Sequence, residues 1–415
     1  MILTVVIFAF ILVVVYLLPG WVALRIGGPT EGKMLVKHLL VAATGFIILL
    51  LLLNSFMPFA GGGDDEDYYY VSLLPIQLST SLFTLFESEF GQPGYPILLS
   101  VLNVIVGDNL LARKAVNLSF FLLTALCWYR IGFVVGDKRT AKQFFVAVLL
   151  SSPVWYYFFF LLKDMTITLL TSLFVLSVFR FYKERSGIVL MIMSSLVVSL
   201  FRFPLIAFNI AFLAITVVLL SERKYRIYKY MAAALIVFIL LRYGTDTGVL
   251  GAMGISPERN ISAAGIRTQV ESYTLTSTNA SIPYMILLYL LSETTAFRMF
   301  GFESALSIEG MAALPWIFVG FPLFLAACYG VLRYRKGIES YSTRLIACLF
   351  VLVAGYLVVS LIVHDTTRWR IPGFPGMAAI AALGWQYLGK KRTLYMTSTA
   401  LVGGIVIFTY YYLRG

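Results

Sequence analysis

Asp64-Asp65-Glu66-Asp67 is the densest chemical signal in this 415-residue chain. Carboxylates this close repel one another, so a fold that keeps them together supplies water, a cation or a protonated partner. A carboxylate within hydrogen-bond reach of a hydroxyl can act as general base, contributing roughly a hundredfold to ten-thousandfold in rate. Asp65 is the first choice for that role and Asp64 the second, because spacing does not decide which of two neighbouring side chains enters a cavity. A second set consists of cations that interrupt apolar stretches: Lys163 beside Asp164, Arg202 ahead of Pro204, and Arg368 and Arg370 around Trp369. Such groups, or a bound divalent ion, stabilise growing negative charge on a phosphate in a water-poor site. Asp64, Glu66 and Asp164 are the oxygen donors that a magnesium or manganese ion would use. The plain alternatives are a solvated acidic loop and a local Lys163-Asp164 ion pair at a hairpin.

The elements that must position these residues are apolar. Residues of apolar type make up 60% of the chain and charged ones only 13%, a balance that points to a polytopic integral membrane protein. No polar stretch is long enough for a separate soluble domain, so residues 1–415 are read as a single all-α membrane domain. Apolar helices are expected at 2–24, 38–57, 113–135, 143–162, 165–182, 187–203, 205–220, 230–247, 312–332, 345–363, 371–388 and 393–413, about twelve spans in all. The formal net charge of +12 arises from short basic clusters between these runs, which orient a membrane protein rather than bind nucleic acid. Cys127, Cys328 and Cys348 lie inside apolar runs without metal-ligand spacing and read as packing residues.

With the amino terminus outside, most of the 32 Lys and Arg residues fall in cytoplasmic turns, among them Arg25, Lys33, Lys37, Lys138, Arg139 and Lys142. The acidic stretch then faces outward, as do Lys163-Asp164, Arg202 and the His364 to Arg370 segment. Two outward loops stand out, 58–112 with the acids and 248–311. The first contains apolar segments broken by Pro75, Pro93, Pro96 and Gly107, too short to cross and expected to lie along the interface. Tyr68, Tyr69 and Tyr70 place amphipathic rings at the membrane surface, and Arg113 and Lys114 read as anchors at that interface.

Asp64-Asp65-Glu66, Tyr68 to Tyr70, Gly94-Tyr95-Pro96, Arg113, Asn117, Lys163-Asp164 and Arg368-Trp369-Arg370-Ile371-Pro372 together resemble the GT-C superfamily of polytopic glycosyltransferases. The likeness is to bacterial members related to protein O-mannosyltransferases and lipid A aminoarabinose transferases. It implies an acidic motif in the first outward loop, a second acidic position at Asp164, and a late Arg-x-Arg-x-Pro segment. In this chain the acidic loop follows the second apolar helix rather than the first, so residues 2–24 look like an added span. The resemblance implies transfer of a sugar from a polyprenyl-phosphate-linked donor to a glycan, lipid or protein acceptor, at the outer face of a bacterial cytoplasmic membrane. Asp65 or Asp64 would be the base, and Arg368, Arg370, Lys163 and Arg202 the donor-phosphate ligands. A polysaccharide polymerase or ligase of the O-antigen kind is the main rival, followed by a lipid-linked glycan transporter. Charges gathered at one face rather than along helix middles count against transport.

Overall fold

The computed structural model describes residues 2–59, 68–69, 94–202, 205–220, 316–333, 341–362, 371–385, 394, 397–398 and 401. The described residues are helical, with no strand among them. The chain divides into two compact units, one of residues 1–150 and 154–206, the other of residues 151–153 and 207–415.

In the first unit, α1 (Ile2–Ile11) passes through a π-helical turn, Leu12–Leu17, into α2 (Leu18–Phe56). Two helices separated by a loop at 25–37 were expected, whereas helix continues on both sides of a single residue, Gly28, with φ 67° and ψ −170°. A side chain strongly disfavours that left-handed φ, and Pro29, lacking an N–H, is suited to the first position of the next helix. The chain reverses there: Tyr16 Oη lies 3.5 Å from Thr44 Oγ1, and Gly32 abuts the backbone of Leu24. The apolar stretch Thr4–Phe56 is therefore a tight helical hairpin.

Next come α3 (Gly94–Val106) and α4 (Leu110–Val135), the latter capped by Asn109, whose side chain accepts from the Ala112 amide. At 13 residues α3 is too short to cross a bilayer. The expected span 143–162 is instead two helices, α5 (Lys138–Leu149) and α6 (Ser152–Phe159). Pro153 near the start of α6 cannot donate a helical hydrogen bond, which accounts for the break. Asp137 caps α5 through the Thr140 amide and hydroxyl, and these bonds hold its carboxyl below the usual range. The unit closes with α7 (Asp164–Glu184) and α8 (Ile188–Phe201).

The core of this unit forms around α4, where Trp128 Nε1 donates to Ser172 of α7 and Phe46, Phe121 and Phe158 pack ring on ring. The helices α4, α7 and Thr4–Phe56 are long and apolar enough to cross a membrane, and much of the outer surface of α2 is apolar side chain. This is an integral membrane protein.

The second unit contains most of α9 (Leu205–Leu220), a π-helical turn Trp316–Gly320, α10 (Phe321–Arg333), α11 (Tyr341–Ile362) and α12 (Ile371–Trp385). Phe208 packs on Tyr356 and Trp316 on Phe374, with ring centroids 4.3 and 5.8 Å apart. The expected spans 230–247 and, for nearly all its length, 393–413 lie outside the described residues. The three cysteines are free thiols, Cys348 buried and Cys127 and Cys328 half-buried.

Candidate functional site

Asp164 opens α7, where the helix dipole favours a carboxylate. Its Oδ1 accepts from Arg202 Nη2 at 3.2 Å, and both side chains are almost wholly enclosed, at 1% and 5% exposed. Oδ2 is also buried and has no hydrogen-bond partner among the described residues. Arg202 ends α8, where the backbone turns extended and the Leu205 amide reaches back to the Arg202 carbonyl. A charge pair enclosed this completely persists only with good geometry, because removing either member leaves the other charge buried and uncompensated.

The turn leading into Asp164 is held from α4. Asn117 Nδ2 donates to the carbonyls of Phe160 and Leu162, at 2.7 and 3.1 Å, and contacts Tyr95 Oη at 3.2 Å. Those two carbonyls follow α6 and precede α7, so Asn117 satisfies backbone acceptors that the helix break would otherwise orphan. Tyr95 is brought close by Gly94, where a Cβ would fall 2.8 Å from the Leu200 carbonyl oxygen. Only glycine lets α3 approach the end of α8, immediately before Arg202, this closely.

Tyr68 and Tyr69 connect this cluster to the acidic stretch that precedes them in sequence. Tyr68 is buried, meets Tyr95 edge to face at 4.9 Å, and lies under Lys163 Nζ, 5.9 Å from its ring centre. Tyr69 packs on Phe59 and lies under the Arg113 guanidinium at 5.3 Å. Arg113 also donates to the Gly107 carbonyl and, at 2.7 Å, to Asn103 Oδ1. Lys114 Nζ donates to the Pro58 carbonyl and sits over the Phe160 ring at 5.0 Å. Adjacent residues of α4 thus hold the chain on both sides of 60–67: Lys114 at Pro58, Arg113 at Tyr69.

Arg113 and Lys114 are not the interfacial anchors that their place at a helix start predicted. They are 1% and 0% exposed, and both donate hydrogen bonds to oxygens inside the protein. The signal that finds them is spacing. Arg113, Lys114 and Asn117, at i, i+1 and i+4 in an apolar helix, share one face, and a polar face on such a helix turns inward.

Of the residues expected to form the site, Lys163, Asp164 and Arg202 are described, and they come together with Tyr68, Tyr95 and Asn117. Asp64, Asp65, Glu66, Arg368 and Arg370 lie outside the described residues, as does the loop 248–311. For the metal set, the described part supplies one orphaned oxygen on a carboxylate already paired with a guanidinium. No three His, Cys, Asp or Glu converge among the described residues, so that part alone does not make a metal centre.

No family model and no curated protein matches the chain. Among solved structures, ArnT from Cupriavidus metallidurans in the apo state is similar over 88% of this chain, with 14% sequence identity and a TM-score of 0.44. The likeness spans 63% of the ArnT chain. At that level it establishes neither fold nor activity, and the functional reading rests on the residues of this chain.

Proposed function

We propose that this protein is a membrane glycosyltransferase of the GT-C type. It moves a sugar from a polyprenyl-phosphate-linked donor to an acceptor hydroxyl at the extracytoplasmic face of a bacterial cytoplasmic membrane. The observation that carries the reading is the enclosed Asp164–Arg202 pair with the half-buried Lys163 beside it, tied through Tyr68 to the chain that leaves the acidic stretch. Asp65 stands three residues before Tyr68, a tether of about 11 Å at full extension. A carboxylate tethered that near Lys163 and the buried Asp164–Arg202 pair suits a reaction that deprotonates a hydroxyl while a phosphate departs.

In this mechanism Asp65, or Asp64 in its place, takes the acceptor proton as the acceptor oxygen bonds to the anomeric carbon. The bond from that carbon to the phosphate oxygen breaks, and the lipid phosphate leaves with the electron pair. Lys163, Arg368 and Arg370 stabilise the departing charge. Arg202 holds Asp164 at the end of α8 and adds its positive charge to the same task. A divalent ion, were one bound, would be held by Asp64, Glu66 and Asp164 and would supply further positive charge at the departing phosphate.

The test is Asp65→Asn, which keeps size and removes basicity. Turnover with a polyprenyl-phosphate sugar and a competent acceptor falls at least about a hundredfold, while donor binding stays within a few-fold. Asp64→Asn is the control, and Arg370→Ala weakens both binding and turnover. Normal turnover in purified Asp65→Asn overturns the base assignment. Dependence on the outward arginines alone favours the polymerase reading.

A further inference from the structure

A second feature of the first unit has no part in this chemistry. Between α2 and α5 runs an open groove of about 720 Å³, within the roughly 300–1,000 Å³ typical of a site for one ligand. Val41, Gly45 and Leu49 of α2 line it, with Val146 and Leu149 of α5, Leu150 just past its end, and Trp155 of α6. Trp155 Nε1 donates to the Leu149 carbonyl, which satisfies the indole's one donor within the protein.

Polarity is confined to one end of the groove. Lys37 and His38 line it there and are exposed. His38 Nδ1 is bonded to the Met34 carbonyl at 2.8 Å, which leaves Nε2 as the ring nitrogen for a ligand. One turn before Val146, Lys142 shares Glu31 with Lys138, so two ammonium groups meet one carboxylate and the end stays positive. From Lys37 to Leu49 the α2 axis advances about 18 Å, close to half of a roughly 30 Å hydrocarbon core.

We propose that this groove binds one anionic glycerophospholipid, its phosphate at Lys37 and His38 and an acyl chain laid along Gly45 toward Leu49. The groove matches an amphiphile of one leaflet: a single charged end, an apolar length equal to one chain, and no polar group along the way. An extended protein segment in the same trough would bring backbone N–H and C=O groups that nothing there could satisfy.

Gly45 permits a clean test, because a Cβ built on it meets nothing within 4 Å. Gly45→Leu therefore fills the trough without displacing a neighbour. The full chain is placed in phosphatidylcholine nanodiscs containing a minor fraction of phosphatidylglycerol with brominated acyl chains, and tryptophan quenching is measured. The component absent from Trp155→Phe reports the groove.

Brominated phosphatidylglycerol quenches that component about fivefold more effectively than brominated phosphatidylcholine at equal mole fraction, the enrichment expected for one engaged lysine. Lys37→Gln removes the preference, and Gly45→Leu removes the quenching. Native mass spectrometry supplies a second readout, with one phosphatidylglycerol retained by the parent and none by Gly45→Leu. Equal quenching by the two lipids, or a preference that survives both variants, overturns the proposal. Displacement by polyprenyl phosphate but not by unlabelled phosphatidylglycerol also overturns it, assigning the groove to the prenyl lipid.

Discussion

The two ends of α4 carry charge in opposite ways, about 39 Å apart along a 26-residue helix. At its start, Arg113 and Lys114 are enclosed, and the nearby Asp164–Arg202 pair is nearly as inaccessible. Past its other end, Lys138 and Lys142 reach Glu31 at the turn of the α2 hairpin while remaining substantially exposed, and Lys183 donates to the Val134 carbonyl. Both clusters join separate helices. Only the first does so at the expense of desolvating its ions, and a membrane protein has cheaper ways of holding helices together. The difference teaches that the buried end depends on pairing inside the protein, while the exposed end is held by ion pairs that stay in contact with water.

Removing one partner at the buried end is the most damaging way to challenge this contrast. Arg202→Leu leaves Asp164 unpaired and lowers stability by about 3–5 kcal/mol, read as a shift in the unfolding transition in detergent. The double variant with Asp164→Leu recovers most of that loss. If Arg202→Leu unfolds with the parent, the two ends of α4 do not differ in kind.

Intermediate effects sharpen the comparison. Asn117→Leu removes the donor to the Phe160 and Leu162 carbonyls, at about 1–3 kcal/mol for the group left unsatisfied. Lys114→Met keeps the stem and deletes the charged bond to Pro58. Hydrogen exchange at Phe59 then rises about tenfold or more, the response to losing a charge-assisted bond, while exchange in the middle of α4 is unchanged.

The smallest effect belongs to the exposed end. Bonds from Lys138 and then Lys142 hold the Glu31 carboxyl below its ordinary 4.5. A depressed carboxylate contributes stability that is fully present above its unfolded value and is lost as pH falls through the folded value. The difference in melting temperature between the parent and Glu31→Gln is therefore small and constant from pH 8 to neutral and mildly acidic conditions, and vanishes below the carboxylate range. Molar salt shrinks it at every pH. A difference that grows on acidification refutes the clamp.

Much of the helical layout was legible in the sequence because apolar runs and their breaks are local. Expected 113–135, 165–182 and 205–220 match Leu110–Val135, Asp164–Glu184 and Leu205–Leu220 within a few residues. The reversal at Gly28 was not, since a one-residue turn leaves the helical pattern nearly uninterrupted on both sides. Within the site, Lys163-Asp164 and Arg202 stood out as charges in apolar surroundings. Their pairing did not, because it joins residues on different helices. Arg113 and Lys114 were misread for a related reason: a cation at a helix start looks the same in sequence whether it faces headgroups or the end of a neighbouring loop.

The Gly28 reversal carries one further consequence, a matter of hydrophobic mismatch. The legs Thr4–Gly27 and Pro29–Phe56 measure about 36 and 42 Å, both longer than a hydrocarbon core of roughly 30 Å. Helices tied by a single residue cannot slide past one another to suit a thinner or thicker bilayer. The pair tilts as a body, and the remaining excess emerges at its open end. There the second leg runs through Phe56 and Met57 to Pro58, whose carbonyl Lys114 grips. Bilayer thickness thus becomes a mechanical load on the chain entering the acidic stretch, met by Lys114 at the Pro58 carbonyl and by the packing of Phe59 on Tyr69.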